Sequence, residues 1–547
     1  MNWRKSMRDR CAQVGIFLAM FASSACVGQP TYWYVDADGP GSEPWDEAYT
    51  DLQDVLTNPY LDEGDVIWVA AGTYTPTDDD DQTISFSLTK NVRMYGGFHG
   101  GQDGETDLSE RDIFENVTIM SGDIDGDGLD ADNSHHVVIG GSLDTTMRLD
   151  GFTITGGYCD LTLSNDGAGM RLQGATPLLI NCTFKENWAG IGRYVGTGAA
   201  LAAHPHDGPG WSGVLQVIDC RFLDNTAYKS SADYTKHPRG GAVWVGQTDA
   251  TFVNSLFAGN ESGSDQGGYA FPGFGGAIYN AASIVTMVNC TVADNRTPGG
   301  GWGGGLATSY SAHTYLHSCI FWGNDAGNNG EGDQIYLTKG DPDAQMTVDY
   351  CDVQGGEEEI GGETEGLVWV SETCITEDPG LTAGYRFSDE SSPCINTGDT
   401  DEIMKEQYQD AYDIDDDGND WEPLPDLGLS LRVSGGEVDM GSYEYCLADI
   451  TGNGVVDVVD LIALLDAWGE CPDPPQECPA DIYPADGEGD GVVDVLDLLM
   501  LLNEWGCGVP GGPLAPEGIQ DCIDLYGDDF EQMEACIQAI ILSQGGE

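Results

Sequence analysis

The chain has 547 residues, of which 93 are Asp or Glu and only 20 are Lys or Arg, for a formal net charge of -73. A surface of that sign repels nucleic acid and anionic membranes and attracts cations, so no nucleic-acid partner is expected. The 77 glycines fall between strand-like runs, a pattern that argues for turns rather than disorder.

At the start, Arg4, Lys5, Arg8 and Arg10 precede an apolar run from Val14 to Phe21 and small residues ending at Ala25. Residues 1–25 therefore read as a secretory signal cleaved after Ala25, and the mature protein is expected to be secreted or held at the cell surface. That run is too short to span a membrane, and no transmembrane segment is expected in the mature chain. Cys26, directly after the cleavage site, leaves a lipid anchor open. Export makes the cysteines candidates for disulfides.

Past Thr31, the spacing of Leu52, Val55 and Leu56 predicts a short amphipathic helix that caps an open first coil. Runs at Asp65 to Pro76, Thr83 to Thr89, Val92 to Phe98, Val117 to Asp123, His136 to Gly141 and Met147 to Gly157 read as strands. Then one phrase recurs: NCTFKENWA at Asn181, DCRFLDNTA at Asp219, NSLFAGNES at Asn254, NCTVADNRT at Asn289 and SCIFWGNDA at Ser318. Its second Asn stands at Asn187, Asn225, Asn260, Asn295 and Asn324, a period of roughly 30 to 40 residues that marks a solenoid. Gly-rich entries such as GAGMRL at Gly167 and GGAVWV at Gly240 precede the copies. The runs are β-branched and aromatic without helical periodicity, so each unit is a coil of strands and the fold is mainly β, a parallel β-helix. Cys182, Cys220, Cys290, Cys319 and Cys351, with Ser255 in the middle turn, would form one inward ladder. The Asn after them suits a corner, because it tolerates left-handed dihedrals and can bond to the neighbouring turn.

The early strands resemble, in IWVAAGTY, YGGFHG, SGDIDGDG with NSHHVV, and LDGFTITGG, the opening coils of secreted bacterial proteins of the pectate-lyase-like superfamily. The later phrases resemble the repeats of polymorphic outer-membrane proteins. Together these resemblances imply a right-handed parallel β-helix solenoid over about Thr31 to Gly356 and say little about chemistry. EDPGLTAGYRFSDESSPCINTGD at Glu377 and GGEVDMGSYEY at Gly435 are similar to the choice-of-anchor segment of surface β-helix proteins. That segment is expected to close the last coils and to complete a domain spanning residues 31–445, with Asp413 to Trp421 as an inserted acidic loop.

At Cys446 the composition changes, and CLADITGNGVVDVVDLIALLDAWGEC is echoed by CPADIYPADGEGDGVVDVLDLLMLLNEWGC. Each copy of this module, residues 446–508, is an acidic loop feeding an amphipathic helix. Leu461, Leu464, Leu465 and Trp468 in the first match Leu498, Leu501, Leu502 and Trp505 in the second. A hard cation such as calcium takes six to eight oxygens, which a twelve-residue loop supplies from alternate positions with a Gly at the turn. The second copy offers Asp486, Glu488, Asp490, the carbonyl of Val492, Asp494 and Asp497. The first offers Asp449, Thr451, Asn453, the carbonyl of Val455, Asp457 and Asp460, with fewer carboxylates and so weaker expected binding. The bland reading is a polar turn with Asp capping a helix, and two copies in register with Gly at the same place speak against it.

This arrangement resembles the paired loops of a type I dockerin, a small α-helical calcium-binding domain that implies a cohesin-like protein or cell-surface component as partner. Val458 with Val459 and Val495 with Leu496 would either dock that partner or pack against the β-helix end. Cys446 with Cys471, and Cys478 with Cys507, would clamp one loop-helix unit each, and a zinc reading of these cysteines is poor, because the spacing is wrong and no His lies nearby. A linker and helical tail, residues 509–547, follow, with Cys522 and Cys536 as a possible staple. Asp123 to Asp132 and Asp413 to Asp420 hold similar turns without an acidic twelfth position, and read as solvated loops or open, weaker cation sites.

Enzymatic signals are thin. Arg171, Arg193, Arg221, Lys229, Lys236 and Arg239 are scattered and read as surface residues, while His204, His206, His313 and His317 lack a nucleophile signature. Acidic pairs suited to glycoside hydrolysis are uninformative among so many carboxylates. The leading expectation is therefore a calcium-dependent β-helix protein for surface display, assembly or carbohydrate-associated binding, with no catalytic residues assigned. Its rival is a polysaccharide lyase or glycoside hydrolase delivered by the same module.

Overall fold

The computed structural model describes residues from 30 onward, except 102–104, 129–130, 161–164, 191–194, 206–212, 229–236, 265–270, 339–342, 364, 389–390, 406–407, 409–424, 429–436, 447, 452–454, 472–477, 479, 483–491, 504, 506–535 and 538–547. The described residues between 32 and 369 wind into three long parallel sheets, with a smaller five-stranded sheet from Tyr158–Cys159 to Phe271–Pro272 beside them. Sheet A has eleven strands running from Tyr32–Val35 to Leu367–Trp369. Sheets B and C have nine each, from Gly72–Tyr74 to Asp352–Val353 and from Phe86–Leu88 to Gly361–Gly362. Every strand in these sheets pairs with its equivalents in adjacent turns, so the expected parallel β-helix is what the chain forms.

Register decides the core. Phe184 pairs with Phe222, Phe222 with Phe257, Phe257 with Val292 and Val292 with Phe321, so one inward position of sheet B is a column of apolar side chains. The first three rings stack with centroids 5.0 and 4.7 Å apart. Burial alternates along the strands, as in Thr183–Lys185, because successive side chains face opposite sides of a sheet. The cysteine ladder forms as expected. All five thiols are buried and unpaired, and Cys220 N donates to Ser255 Oγ at 3.3 Å in the middle turn.

The second Asn of each phrase builds a further ladder. Asn187 Nδ2 donates to Asn225 Oδ1, Asn225 to Asn260, Asn260 to Asn295 and Asn295 to Asn324, at 3.0, 3.0, 2.8 and 2.9 Å. Each Oδ1 also accepts the backbone N–H of the Asn one turn back, and each Nδ2 also reaches a carbonyl of the preceding turn, as Asn260 does to Phe222 O at 2.8 Å. Gln334 ends the row by accepting from Asn324 at 2.6 Å. The left-handed dihedrals lie elsewhere than expected. They fall on the phrase's first residue, Asn181, Asp219, Asn254, Asn289 and Ser318, and on the residue just before the ladder Asn, including Glu186, Asp224 and Asp294. The ladder Asn is thus chosen for its amide, which satisfies neighbouring turns, and the corner residues carry the strain.

The helix at Leu52–Leu56 forms with Asp51 as its cap, accepting from Gln53 N at 2.8 Å. Leu52 and Val55 join Val35 and Leu61 in the core, so the helix covers the first coil as expected.

The segment after the coils departs from expectation. Rather than closing the end, the described residues between 381 and 445 pack along the side of the solenoid as a strap. Ile403, Tyr408 and Val438 pack on Ile180, Ile218, Val253 and Val288 of sheet A's outer face. Leu427 and Tyr443 cover Leu256 and Ala258 of sheet B, and Phe387, Cys394 and Met440 cover Ile320. Polar contacts recur at the corner between the sheets: Asn254 Nδ2 to Pro425 O at 2.6 Å, Asn289 Nδ2 to Asp439 O at 2.8 Å, and Gly441 N to Ser318 O at 2.8 Å. Gly441 has φ of +88° and a Cβ there would sit 2.7 Å from Ile320 Cδ1, so only glycine allows this approach. Residues 413–421, the expected acidic loop, lie outside the described residues.

Replacing Asn260 by Ala removes a donor and an acceptor from a fully buried row and orphans groups on both neighbouring turns. Asn260→Ala should cost about 2–4 kcal/mol, read as a lowered denaturant midpoint. A loss below roughly 1 kcal/mol would show that the ladder contributes no more than an ordinary hydrogen bond.

Candidate functional site

With sheets A and B partly covered by the strap, the outer face of sheet C stands apart. Its register sets Arg171 beside Ala202, Ala202 beside Trp244, Trp244 beside Tyr279, Tyr279 beside Ala307 and Ala307 beside Tyr336. Alanines between the rings leave room for them to lie over the sheet. Trp244 does so against Gly246, where a Cβ would meet its Cζ2 at 2.6 Å. Beyond it, Phe274 and Trp302 stack at 4.5 Å, and Arg239 lies over Tyr279 with 5.4 Å to the ring centroid. His237 meets Trp302 edge-on at 5.3 Å.

At the other end of the row is a cleft of about 350 Å³ lined by Ser87, Ile139, Gly140, Ser142, Arg171 and Gln173, among others. Asp166 stands beside it, its Oδ2 3.1 Å from both Arg171 Nε and His204 Nε2. The His204 ring lies 5.8 Å from Trp244, which joins the charged cluster to the aromatic row. His136 contributes no charge here. Burial pushes it down to about 4, against the hydrogen bond with Gly167 O that favours protonation.

Arg171, His204 and Arg239 were expected to be plain surface or coil residues. They instead gather on one face of a chain that has very few cations, while Arg221 is occupied elsewhere by Leu427 O of the strap. Lys229, Lys236, Arg193 and His206 lie outside the described residues. A signal for the cluster was present: aligning GAGMRLQ at Gly167 with GAALAAH at Gly198 places Gln173 and His204 on one rung, as observed. Beside the cleft stands one described carboxylate, Asp166, which accepts from Arg171 Nε at 3.1 Å with the His204 ring alongside. Aromatic faces beside hydrogen-bonding groups suit binding of a polyhydroxylated ring.

The other expected site is the C-terminal module. Its helices run Val458–Asp466 and Val495–Asn503, and their cores meet through Leu461, Leu464, Leu498 and Leu501. In the first copy Asp460, fully buried, accepts from Thr451 N and Thr451 Oγ1 through Oδ1, at 3.0 and 2.9 Å, and from Asp457 N through Oδ2 at 2.8 Å. Asp457 caps the helix, accepting from Val459 N at 2.6 Å. Asp449 and Val455 are half-buried nearby, but Asp449, Asp457 and Asp460 do not converge as a triad. In the second copy Asp497, also buried, accepts from Asp494 N and Ile482 N, both at 2.7 Å. Ile482 precedes the twelve-residue count from Asp486, so Asp497 is anchored upstream of the loop start. Asp494 accepts from Leu496 N at 2.8 Å, and Val492 pairs with Glu470 in a short antiparallel bridge. Asn453, Asp486, Glu488 and Asp490 lie outside the described residues.

The donor chemistry fits a hard cation. From Cys446 to Glu547 there is no Lys, Arg or His, so Asp460 and Asp497 are buried in a module that has no cationic side chain of its own. Among the described residues, acidic oxygens converge as a triad at Asp123, Asp125 and Asp127 of the exposed earlier loop.

The expected clamps are corrected. Cys471 bonds to Cys478, joining the end of one copy to the start of the next, which rules out both Cys446–Cys471 and Cys478–Cys507. Cys446 and Cys536 are also disulfide-bonded, and Cys522 lies outside the described residues.

The class that fold and site define is a parallel β-helix protein with an appended helical module. No protein-family model and no curated protein matches the chain. Among solved structures it is similar to pectate lyase Pel9A, at 12% identity over 77% of this chain and 97% of that one, with a TM-score of 0.34. It is also similar to a pectin methylesterase from carrot, at 12% identity over 64% of this chain and 91% of that one, TM-score 0.28. A third likeness is to the pectin methylesterase from Aspergillus niger, at 14% identity over 72% and 98%, TM-score 0.28.

Because trypsin finds no site after Arg432, the pairing is best read with an Asp-specific protease under non-reducing conditions. The digest should contain a Cys471–Cys478 crosslink, and a Cys446–Cys471 species would contradict the structure.

Proposed function

We propose that this is an exported, calcium-dependent β-helix protein that holds a polysaccharide along the outer face of sheet C and attaches through a dockerin-like C-terminal module. The observation that carries the reading is Trp244, laid flat over Gly246 beside the Asp166, Arg171 and His204 cluster. A flat indole offers a sugar ring an apolar face, and the charged groups offer its hydroxyls or carboxylates directed partners. Arg239 adds a second cation along the row and His237 a polar ring, so an acidic polymer is met locally by Arg171 and Arg239 despite the net charge of -73.

For attachment, Asp449, Thr451, Asn453, Val455, Asp457 and Asp460 would hold one calcium, and Asp486, Glu488, Asp490, Val492, Asp494 and Asp497 a second. Bound there, calcium supplies the countercharge that buried Asp460 and Asp497 otherwise lack within the module. The apolar residues Val459 and Ile462 on one helix and Leu496 and Leu499 on the other are partly exposed at equivalent positions. They give a cohesin-like protein or cell-surface component an apolar patch to cover.

Two measurements test this. In a panel of pectins, alginates and neutral glycans, Trp244→Ala should weaken binding about tenfold or more while far-UV circular dichroism is unchanged. Equal binding by variant and parent would sink the groove, and release of shortened or unsaturated chains would favour a lyase or hydrolase. By calorimetry, Asp497→Ala should abolish the tighter calcium step and Asp460→Ala the weaker one, and equal losses from both would contradict the ranking of the loops.

A further inference from the structure

Where the strap meets the last coils, its contact with sheet B runs through an acid and a thiol. Asp352, on the final strand of sheet B, is fully buried. Its Oδ2 accepts from Cys394 Sγ of the strap at 3.2 Å, and its Oδ1 has no hydrogen-bond partner. Cys394 is itself buried, between Ile320 of the coil and Met440 and Phe387 of the strap. The charged groups acting on this pair are Glu377 and Asp378 from the chain leading into the strap and Asp439 from its far limb, all acidic. A carboxylate ionised here would therefore be desolvated, half-unbonded and surrounded by like charge, whereas a neutral acid fits.

We propose that Asp352 and Cys394 form a pH-sensitive latch, which holds the strap on the coils in acid and loosens it above neutrality. Burial is the main cause that raises Asp352 to about 7, with Glu377 and Asp378 adding to it and the Cys394 bond opposing. With the strap lifted, Asp352 meets water and returns to the ordinary carboxylate range. Docking therefore keeps its full strength below that range, weakens as pH rises, and reaches its weakest level once pH passes about 7. What lifting would uncover is the apolar row Ile180, Ile218, Val253 and Val288.

Hydrogen exchange followed by mass spectrometry on the full chain, at constant calcium and corrected for intrinsic rates, tests the latch between pH 5.5 and 8.5. Peptides covering 391–400 and 437–445 should open on the order of tenfold faster or more at the higher pH, while coil peptides such as 214–223 stay constant. Asp352→Asn should flatten the strap's profile at the slow level. Should that variant fold poorly, Glu377→Gln serves in its place: the rise should become smaller and level off at lower pH. Equal strap protection across the range in the parent chain, or an unchanged rise in either variant, would overturn the proposal.

Discussion

Everything in this molecule follows from turns that must stack in register, because a parallel strand has no hairpin partner and finds its hydrogen bonds only one coil away. The Asn row from Asn187 to Asn324 enforces that register with more than backbone bonds. Each amide accepts from the turn before and donates to both sides, so a turn cannot slip by a residue without orphaning buried groups in two neighbours. The same enforcement places Phe184, Phe222 and Phe257 one above another inside, and Arg171, Trp244 and Tyr279 along one outer row. The core and the candidate groove are two sides of one constraint.

Much of this was legible in the sequence, because the ladder writes itself as a repeated phrase. Strand identity, the inward cysteines, the N-terminal cap and the duplicated helices all depend on short-range pattern, and pattern is what a sequence displays. The strap was misjudged for a different reason. Its apolar contacts, Tyr408 and Val438 on Ile218 and Val253, join residues far apart in the chain, and nothing in the spacing of GGEVDMGSYEY tells which face it will cover. The disulfide was misjudged because two loop-helix copies suggested two closed units. Cys471–Cys478 ties the copies to each other instead, a choice made by three-dimensional approach.

Charge divides the chain's surfaces by role. Buried carboxylates of the coils are met in two ways: Asp150 by cations, Arg111 at 2.9 Å and Arg148 at 2.7 Å with Asn181 completing its shell, and Asp36 and Glu105 by backbone N–H groups. Of the other cations of the repeats, Arg171 and Arg239 lie on the sheet C side, while Arg221 meets the strap and Arg296 pairs with Glu261. In the C-terminal module no cation exists, and Asp460 and Asp497 rest on backbone N–H groups and on whatever ion the loops collect. An isolated buried carboxylate is costly without a countercharge, which is the physical ground for the calcium proposed above.

The strap gives this division a geometry. A bare solenoid would expose three outer faces, and the apolar rows on sheets A and B would invite adhesion between copies. The described part of the strap between 381 and 445 covers those rows, while on sheet C Tyr279, Ala307 and Tyr336 are buried among the partly exposed Trp244, Phe274 and Trp302, and the cleft beside Arg171 stays open. Covering the rows through Asp352, with its unbonded oxygen, makes the seal least secure where the chain enters the strap. Because each turn adds the same outward positions, Arg171, Trp244 and Tyr279 recur at a fixed spacing along sheet C, and a polymer with a matching repeat would meet several turns at once. On the proposed reading, such a row would act as a multivalent surface, in which affinity grows with the number of turns engaged rather than with the strength of any one residue.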